Sequence, residues 1–402
     1  MNLSPNQGIP RHIIMLMAMM AGLTVANLYY NQPLLEMIRS DLQTTSSLAN
    51  LIAVITQVGY ALGLLFIIPT GDLFSRRKII VVCMVVAALM TATIGLADNI
   101  YIIWGASLLM GACSIVPQLF IPIAGQFSKP ENKAKNMGYV LSGLLIGILA
   151  ARVVSGMIGE WFGWRMMYYI AGILMIICLV LTLWMMPQMQ QNFSGTYAAL
   201  IKSVVRIFAN HPRIRLNAIR AAFGFGSMLA FWACLAFHLA DAPFHAGSDA
   251  VGYLGICGVA GAMVASGIGK YIPRYGVRRF SIAGASIQIL AWFTAWLWGD
   301  SYIGLILTVI LVDIGLQCLQ LSNQSACIQA VPEASNRANT IFMTTYFIGG
   351  SLGTFLAGQG WHVARWNGVC LVGIAFAAIS LCISLKSHAD GLEGNASRKR
   401  RI

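Results

Sequence analysis

The chain has 402 residues, of which 58% are hydrophobic and only 10% are charged, and its mean hydropathy is +0.74. Soluble domains carry about 25% charged residues, so this composition excludes a soluble globular protein and indicates a protein with many membrane-spanning helices. The net charge of +13 could suit nucleic acid, but the basic residues lie in short segments between apolar runs, which is the pattern that sets membrane topology. We therefore expect the lipid bilayer as a partner, and no nucleic acid.

Twelve apolar runs are long enough to cross a bilayer as α-helices. They cover residues 13–34, 48–70, 79–97, 101–124, 137–160, 165–186, 216–240, 250–270, 280–298, 302–327, 338–360 and 366–386. An even number of spans places both termini on one side, and 22 of the 26 lysines and arginines fall in segments on that side. The bias predicts cytoplasmic termini in a cell membrane, which we expect to be a bacterial inner membrane.

The longest connection divides the spans into two sets of six. We predict an N-terminal six-helix bundle at 1–186, a cytoplasmic linker at 187–215, a C-terminal six-helix bundle at 216–386 and a basic cytoplasmic tail at 387–402. In the linker, apolar residues from Tyr197 to Phe208 recur on one helical face, opposite Lys202 and Arg206. This pattern predicts an amphipathic helix at the membrane interface, although a simple connecting helix would fit it equally well.

The two halves resemble each other in sequence. A shift of 202 residues places Gln118 on Gln320, Gly147 on Gly349 and Trp164 on Trp366, and a shift of 201 places Arg77 on Arg278. Several matches at nearly one offset, with matching topology, indicate an internal duplication. Parallel six-span repeats are typical of transporters with a site between the halves.

The tenth run carries an unusual polar seam. Asp313, Gln317, Gln320 and Gln324 stand at i, i+4, i+7 and i+11, so they share roughly 60° of helix circumference. Polar and charged groups facing lipid are costly, with a central carboxylate costing about 2.5–3.5 kcal/mol. We therefore predict that the seam lines a water-filled substrate cavity and that Asp313 is the first candidate to carry a coupled proton.

Arg152 and Asp313 are the two ionisable residues deepest within the predicted spans. Opposite charges could offset their cost by pairing, and a changing distance between them would switch the protonation of Asp313. The alternative is a static salt bridge between helices. Polar or aromatic residues on other spans complete the predicted cavity: Asn27, Tyr30, Asn31, Ser114, Gln118 and Trp232.

The loop after the second run contains Asp72 followed by Arg76, Arg77 and Lys78. This stretch resembles the cytoplasmic signature G-x-L-x-D-R-x-G-R-R/K of the major facilitator superfamily. The segment 269–279 resembles it again, with Arg278 present and Pro273 in place of the acid. The resemblance covers essentially the whole chain and implies an all-α fold of twelve transmembrane helices in two six-helix bundles.

The resemblance also implies a role for these loops, since in this family they latch the cytoplasmic ends of the halves together. The latch residues here would be Asp72, Arg76, Arg77, Lys78 and Arg278, although the basic cluster could serve only to set topology. The small residues of the fifth run resemble the antiporter branch. Arg152 stands where that branch has a proline, and Ser107 stands where many proton-coupled members have an arginine.

From these features we predict a secondary transporter that couples efflux of a drug-like compound or metabolite to protons. The alternatives are an uptake or facilitative carrier and, from another class, a transporter-derived membrane receptor without turnover. The chain has no P-loop, H-E-x-x-H or G-x-S-x-G motif, so we expect no enzyme activity. Its nine cysteines lie in apolar runs without metal-ligand spacing, so we expect no metal and no cofactor. We expect a monomer whose partners are a small-molecule substrate and protons.

Overall fold

The computed structural model describes residues 2–4, 6–189, 196–259, 271–272, 274–331 and 334–386, and α-helices joined by short turns dominate it. The helices are α1 (Arg11–Ala26), α2 (Asn31–Asp41), α3 (Ser46–Phe66), α4 (Thr70–Leu73), α5 (Arg76–Leu96), α6 (Ile100–Cys113), α7 (Val116–Phe127), α8 (Lys133–Phe162), α9 (Trp164–Met185), α10 (Tyr197–Asn210), α11 (Pro212–Ala240), α12 (Ser248–Cys257), α13 (Val277–Trp298), α14 (Tyr302–Ala330) and α15 (Ser335–Lys386). A two-residue parallel pair joins β1 (Asn2–Leu3) to β2 (Gln188–Met189).

The predicted all-α membrane fold is confirmed. Within the described residues, ten segments are long and apolar enough to cross a membrane. The last of them, α15, has non-helical backbone at Ala364 and Arg365, so it consists of two successive helices, as the runs 338–360 and 366–386 predicted. The eighth predicted run, 250–270, falls partly outside the described residues, as does the predicted tail at 387–402.

Two of the predicted spans are interrupted. The first consists of α1 and α2 with turn residues 27–30 between them, and the fourth consists of α6 and α7 with a turn at 114–115. Pro33 and Pro117 follow these turns, and because proline has no amide proton it cannot complete the helical hydrogen bond to the carbonyl four residues earlier. At the first break, Gln32 N donates to Tyr29 O instead, at 3.3 Å.

The chain divides into two compact units, which are Met1–Lys202 with Ala246–Tyr253 (unit 1) and Ser203–His245 with Leu254–Ile402 (unit 2). The start of α12 belongs to unit 1 because it packs on α8. Ser248 N donates to Glu160 Oε2 at 3.1 Å, and Ser248 Oγ donates to Gly156 O at 2.8 Å. A carboxylate at a helix N-terminus satisfies otherwise unpaired amides. The four-part domain division stays a prediction.

Glycines bring equivalent helices close together inside each unit. In unit 1, a Cβ added to Gly22 of α1 would lie 2.7 Å from Gly143 O of α8. In unit 2, a Cβ added to Gly226 of α11 would lie 2.5 Å from Gly349 O of α15. Small residues allow backbones to approach where lipid provides no hydrophobic drive for helix association. The internal repeat is thus visible in the packing of each unit.

The repeat is also visible where the last two helices of each unit meet. Gly163 has φ +82° before α9, and 202 residues later Arg365 has φ +51° at the break in α15. Arg165 pairs with Asp41 in unit 1, and Arg365 pairs with Asp241 at 3.4 Å in unit 2. The two pairs are 200 residues apart, two short of the 202-residue offset of the repeat, so each unit has the same kind of ion pair in this region, but not at strictly equivalent positions.

The linker helix α10 is amphipathic, as predicted, but its apolar stripe packs on protein. Leu200, Val204 and Ile207 are buried, whereas Val205 is exposed. Tyr197 OH donates to Phe66 O at 2.9 Å, and partial burial raises the pKa of Tyr197 above its ordinary value. The buried face is therefore rotated slightly from the face predicted by the sequence: it includes Ile207, and it leaves Val205 exposed. Residues 190–195 of the linker lie outside the described part.

Candidate functional site

The polar seam of α14 belongs to unit 2, and its aspartate is more deeply buried than its three glutamines. Asp313 is 9% exposed, and Gln317, Gln320 and Gln324 are half-buried. Gln320 Oε1 accepts a hydrogen bond from Tyr346 OH at 2.9 Å, and Gln324 Nε2 donates to Asn339 Oδ1 at 2.9 Å. Both partners belong to α15, which therefore orients two of the three amides.

A cluster of aromatic rings holds the Tyr346 hydroxyl in place. The Tyr346 ring stacks on Phe225 of α11 with centroids 3.9 Å apart and an interplanar angle of 10°. Phe342 and Phe347 of α15 also contact the Tyr346 ring, at 5.7 Å and 6.0 Å between centroids. Since the ring cannot turn without disturbing these contacts, the hydroxyl stays directed at Gln320. The sequence analysis did not identify Tyr346, because only the fold brings its hydroxyl to Gln320.

The predicted cavity residues of unit 1 converge around the two interrupted spans. Asn27 Nδ2 donates to Ser114 Oγ at 3.4 Å, and Asn31 Nδ2 donates to Thr56 Oγ1 at 3.4 Å. Gln118 Nε2 donates to Tyr60 OH at 3.3 Å. Asn27, Asn31 and Ser114 are buried. The structure thus brings the predicted residues of the two turns, α2 and α7 into contact with one another or with α3.

Two aromatic residues predicted for the cavity are enclosed. Tyr30 lies in the turn between α1 and α2 and is buried, and Trp232 of α11 is buried with its ring edge-on to Phe231 at 5.6 Å between centroids. Neither ring offers an open face in this structure. Their roles in substrate contact stay predictions.

Arg152 lies deep in α8 and is 2% exposed. Its Nε donates to Gln32 Oε1 at 2.8 Å, and its guanidinium carbon lies 5.0 Å from the centroid of the Tyr29 ring. An amide acceptor and a ring face both favour a buried guanidinium. These contacts anchor Arg152 beside the interrupted first span, and its pairing with Asp313 stays a prediction.

The predicted latch residues make contacts within their own units. Arg76 Nη1 donates to Gln126 Oε1 at 2.9 Å, and Arg77 Nη2 donates to Leu183 O at the end of α9, at 2.5 Å. In unit 2, Arg278 Nε donates to Ser384 O near the end of α15 at 3.1 Å. The two arginines, like the two acceptors, are 201 residues apart, and cations at helix C-termini are favourable.

The predicted latch also includes Lys78 and Asp72. Lys78 is exposed. The side chain of Asp72 and most of the segment 260–273, including Pro273, lie outside the described residues.

A buried network in unit 2 was missed by the sequence analysis. Arg220 is 0% exposed; its Nε donates to Asn323 Oδ1 at 2.8 Å and its Nη2 to Asn217 Oδ1 at 2.7 Å. Asn323 Nδ2 in turn donates to Ser281 Oγ at 3.0 Å. Arg220 was counted among the basic residues of the cytoplasmic side, near the start of the predicted run 216–240, and α11, which begins at Pro212, places it in the third turn. The signal available was Asn323, a second polar position on α14 away from the seam.

The chain is similar to known membrane transporters over most of its length. A family model described as Major Facilitator Superfamily matches residues 14–354. A putative uncharacterized transporter, YgaY of Escherichia coli K12, is 33% identical over 94% of this chain and 96% of its own length. The inner membrane transport protein YnfM of the same strain is 27% identical over 95% of this chain and 92% of its own length.

The fold is also similar to that of solved structures. The crystal structure of the nucleoside transporter NupG superposes with a TM-score of 0.71 at 16% identity, covering 94% of this chain and 98% of that one. At this level of identity the similarity concerns the fold alone.

Proposed function

The chain belongs to the Major Facilitator Superfamily, and on that premise we propose that it exports a small organic molecule in exchange for protons by alternating access. It is a multi-pass membrane transporter and not an enzyme. Proton coupling and outward direction are the parts that we propose. The outward direction rests on the similarity of its sequence to the drug and metabolite antiporter branch.

The burial of Asp313 is the observation that supports the proposal of proton coupling. Its carboxylate is buried near the middle of α14, a 29-residue helix whose neighbouring positions are apolar. A carboxylate at this depth is costly in its charged form, so its protonation state is sensitive to any change in its surroundings. A residue that loses and regains a proton as the cavity opens to each side would couple transport to the proton gradient.

The half-buried amides of the seam support a polar, uncharged substrate. Gln317, Gln320 and Gln324 offer both donors and acceptors on one face of α14. Tyr346 and Asn339 fix the orientation of two of these amides, so hydrogen bonds to a substrate would cost little further ordering.

Uptake and facilitative transport are the alternatives within the class, and a receptor without turnover is the alternative outside it. We further propose a monomer in a bacterial inner membrane with both termini cytoplasmic. We propose that the cytoplasmic ends of the halves are latched together by Asp72, Arg76, Arg77, Lys78 and Arg278.

Inside-out and right-side-out vesicles, compared under the same pH gradient, distinguish export from import by the side on which substrate accumulates.

The experiment is a flux assay in proteoliposomes with an imposed pH gradient, comparing wild type, Asp313→Asn and the exposed control Asp300→Asn. We expect wild type and the control to move protons when substrate is added. We expect Asp313→Asn to lose gradient-driven accumulation while retaining substrate exchange, because exchange does not require net proton release. Normal gradient-driven accumulation by Asp313→Asn would refute Asp313 as the proton carrier.

A further inference from the structure

The two interrupted spans of unit 1 meet at their breaks. The turn between α1 and α2 begins at Asn27, and the turn between α6 and α7 begins at Ser114. Asn27 Nδ2 lies 3.4 Å from Ser114 Oγ and 3.4 Å from Met175 Sδ. A turn that disturbs the helical hydrogen bonding within a membrane span is tolerated where other groups satisfy the freed polar atoms.

The orientation of the Asn27 carboxamide is fixed by its neighbour. Ser114 O–H donates to Met110 O of its own helix at 2.7 Å. Its single proton is thereby used, so Ser114 Oγ can only accept from Asn27. The atom of Asn27 that faces Ser114 must therefore be the nitrogen.

The same reasoning fixes the Asn31 carboxamide one turn further along. Thr56 O–H donates to Ile52 O at 2.7 Å, so Thr56 Oγ1 accepts from Asn31 Nδ2 at 3.4 Å. Both amide nitrogens are thus assigned to protein acceptors. Both amide oxygens point elsewhere.

The two amide oxygens have no donor among the described residues. Asn27 and Asn31 are each 0% exposed, and neither Oδ1 atom has a hydrogen-bond partner there. A buried acceptor left without a donor is unfavourable, and such groups in folded proteins call for an explanation, such as a missing ligand or water. The two oxygens belong to residues at i and i+4, beside the two turns, and are called the acceptor pair below.

We infer that Asn27 and Asn31 form a subsite that accepts hydrogen bonds from a neutral O–H or N–H group of the transported substrate. The charge nearby favours a neutral donor over an ammonium group. The Arg152 guanidinium lies 5.0 Å from the Tyr29 ring and donates to Gln32, both adjacent to the acceptor pair in sequence, and it would repel a second cation. This inference rests on the proposed function as a carrier.

Leucine has nearly the same shape as asparagine but no amide oxygen, so leucine variants at the two positions test the inference directly. In Asn27→Leu, Ser114 O–H keeps its bond to Met110 O, and in Asn31→Leu, Thr56 keeps its bond to Ile52 O. No donor is left unpaired, so the thermal midpoint of the unloaded protein should stay near that of wild type. Thr24→Val is the matched control, since Thr24 is buried on α1 and bonds only to its own helix, at Met20 O.

The flux probes are 4-nitrobenzyl alcohol and benzamide, each tested beside its methyl ether or N,N-dimethyl derivative, together with the ammonium compound 4-nitrobenzylamine. We expect wild type to prefer the donor-bearing neutral probes. Each leucine variant should lose about five- to tenfold in apparent affinity for them and lose the preference over the methylated forms. Asn31→Asp should shift preference towards the ammonium probe.

Each opposite result overturns the inference. Unchanged affinity in both leucine variants, or a thermal midpoint that falls in parallel with affinity, would assign the asparagines to architecture or to a buried water only. A wild type that prefers methylated or ammonium probes would refute the neutral-donor assignment. A wild type that carries no probe in either gradient would refute the proposed function instead, and with it the carrier on which the inference rests.

Discussion

Removing one hydrogen-bond partner of the buried Arg220 should lower the free energy of unfolding of unit 2. Arg220 is fully buried, and Asn323 Oδ1 accepts its Nε proton at 2.8 Å. Asn323→Leu keeps the volume of the side chain but removes this acceptor. A hydrogen bond to a charged group contributes about 1.5–3 kcal/mol, and the guanidinium left with fewer partners has no access to water. We therefore expect a loss of about 2 kcal/mol.

For a unit of this size, the loss corresponds to a fall of about 4–8 °C in thermal midpoint. The assay is thermal unfolding of the purified protein in detergent, followed by intrinsic tryptophan fluorescence. Gln329→Leu on the same helix is the control, because Gln329 is exposed and bonds only locally, to Ser325 at 3.0 Å. The alternative substitution Asn323→Asp supplies a carboxylate acceptor, so its thermal midpoint should be at least that of wild type.

A midpoint for Asn323→Leu within about 1 °C of the Gln329→Leu control would refute the reasoning. It would mean that the Arg220 charge is accommodated without the amide. A fall shared equally by both variants would also contradict it, because the exposed position has no buried partner to lose.

Two further outcomes test the packing of unit 2. Tyr346→Phe keeps the ring stack on Phe225 but removes the hydroxyl that orients Gln320, so substrate affinity in the flux assay should fall about fivefold with little change in thermal midpoint. Equal losses of affinity and stability would contradict this separation. Gly353→Ala should sharply lower the yield of monodisperse protein by size-exclusion chromatography, because its Cβ would collide with Gly226 O, whereas Gly105→Ala, with nothing within 4 Å, should not. A normal yield for Gly353→Ala would show that α11 and α15 can separate without penalty.

The interruption of two spans illustrates what the sequence left open. Pro33 and Pro117 stand in the predicted spans, but a proline within a membrane helix is compatible with a mild kink or with a complete break. The outcome depends on whether neighbouring groups satisfy the freed carbonyls and on how closely adjacent helices pack. Only the fold shows that both spans contain a turn where the helical hydrogen bonding is disturbed, and that the two turns meet at Asn27 and Ser114.

The two buried arginines show a second limit. Arg152 was recognised because it lies deep within an apolar run, whereas Arg220 lies near the start of the run 216–240 and was counted with the charges of the cytoplasmic side. Helix boundaries are the least certain part of a sequence-based assignment, and α11 extends back to Pro212. The helix begins four residues before the predicted run 216–240, which places Arg220 in its third turn, at the centre of a buried network.

The sequence by itself determined that this is a polytopic membrane protein with a repeated set of apolar helices and one polar seam. It could do so because crossing a bilayer requires a certain length of apolar chain, which is a property read along one dimension. The partners of each polar group were decided by tertiary structure. Tyr346 and Gln320 are 26 residues apart, and Arg220 and Asn323 are 103 residues apart. Periodicity specifies which residues share a helix face, but the rotation and packing of each helix decide which face meets which neighbour.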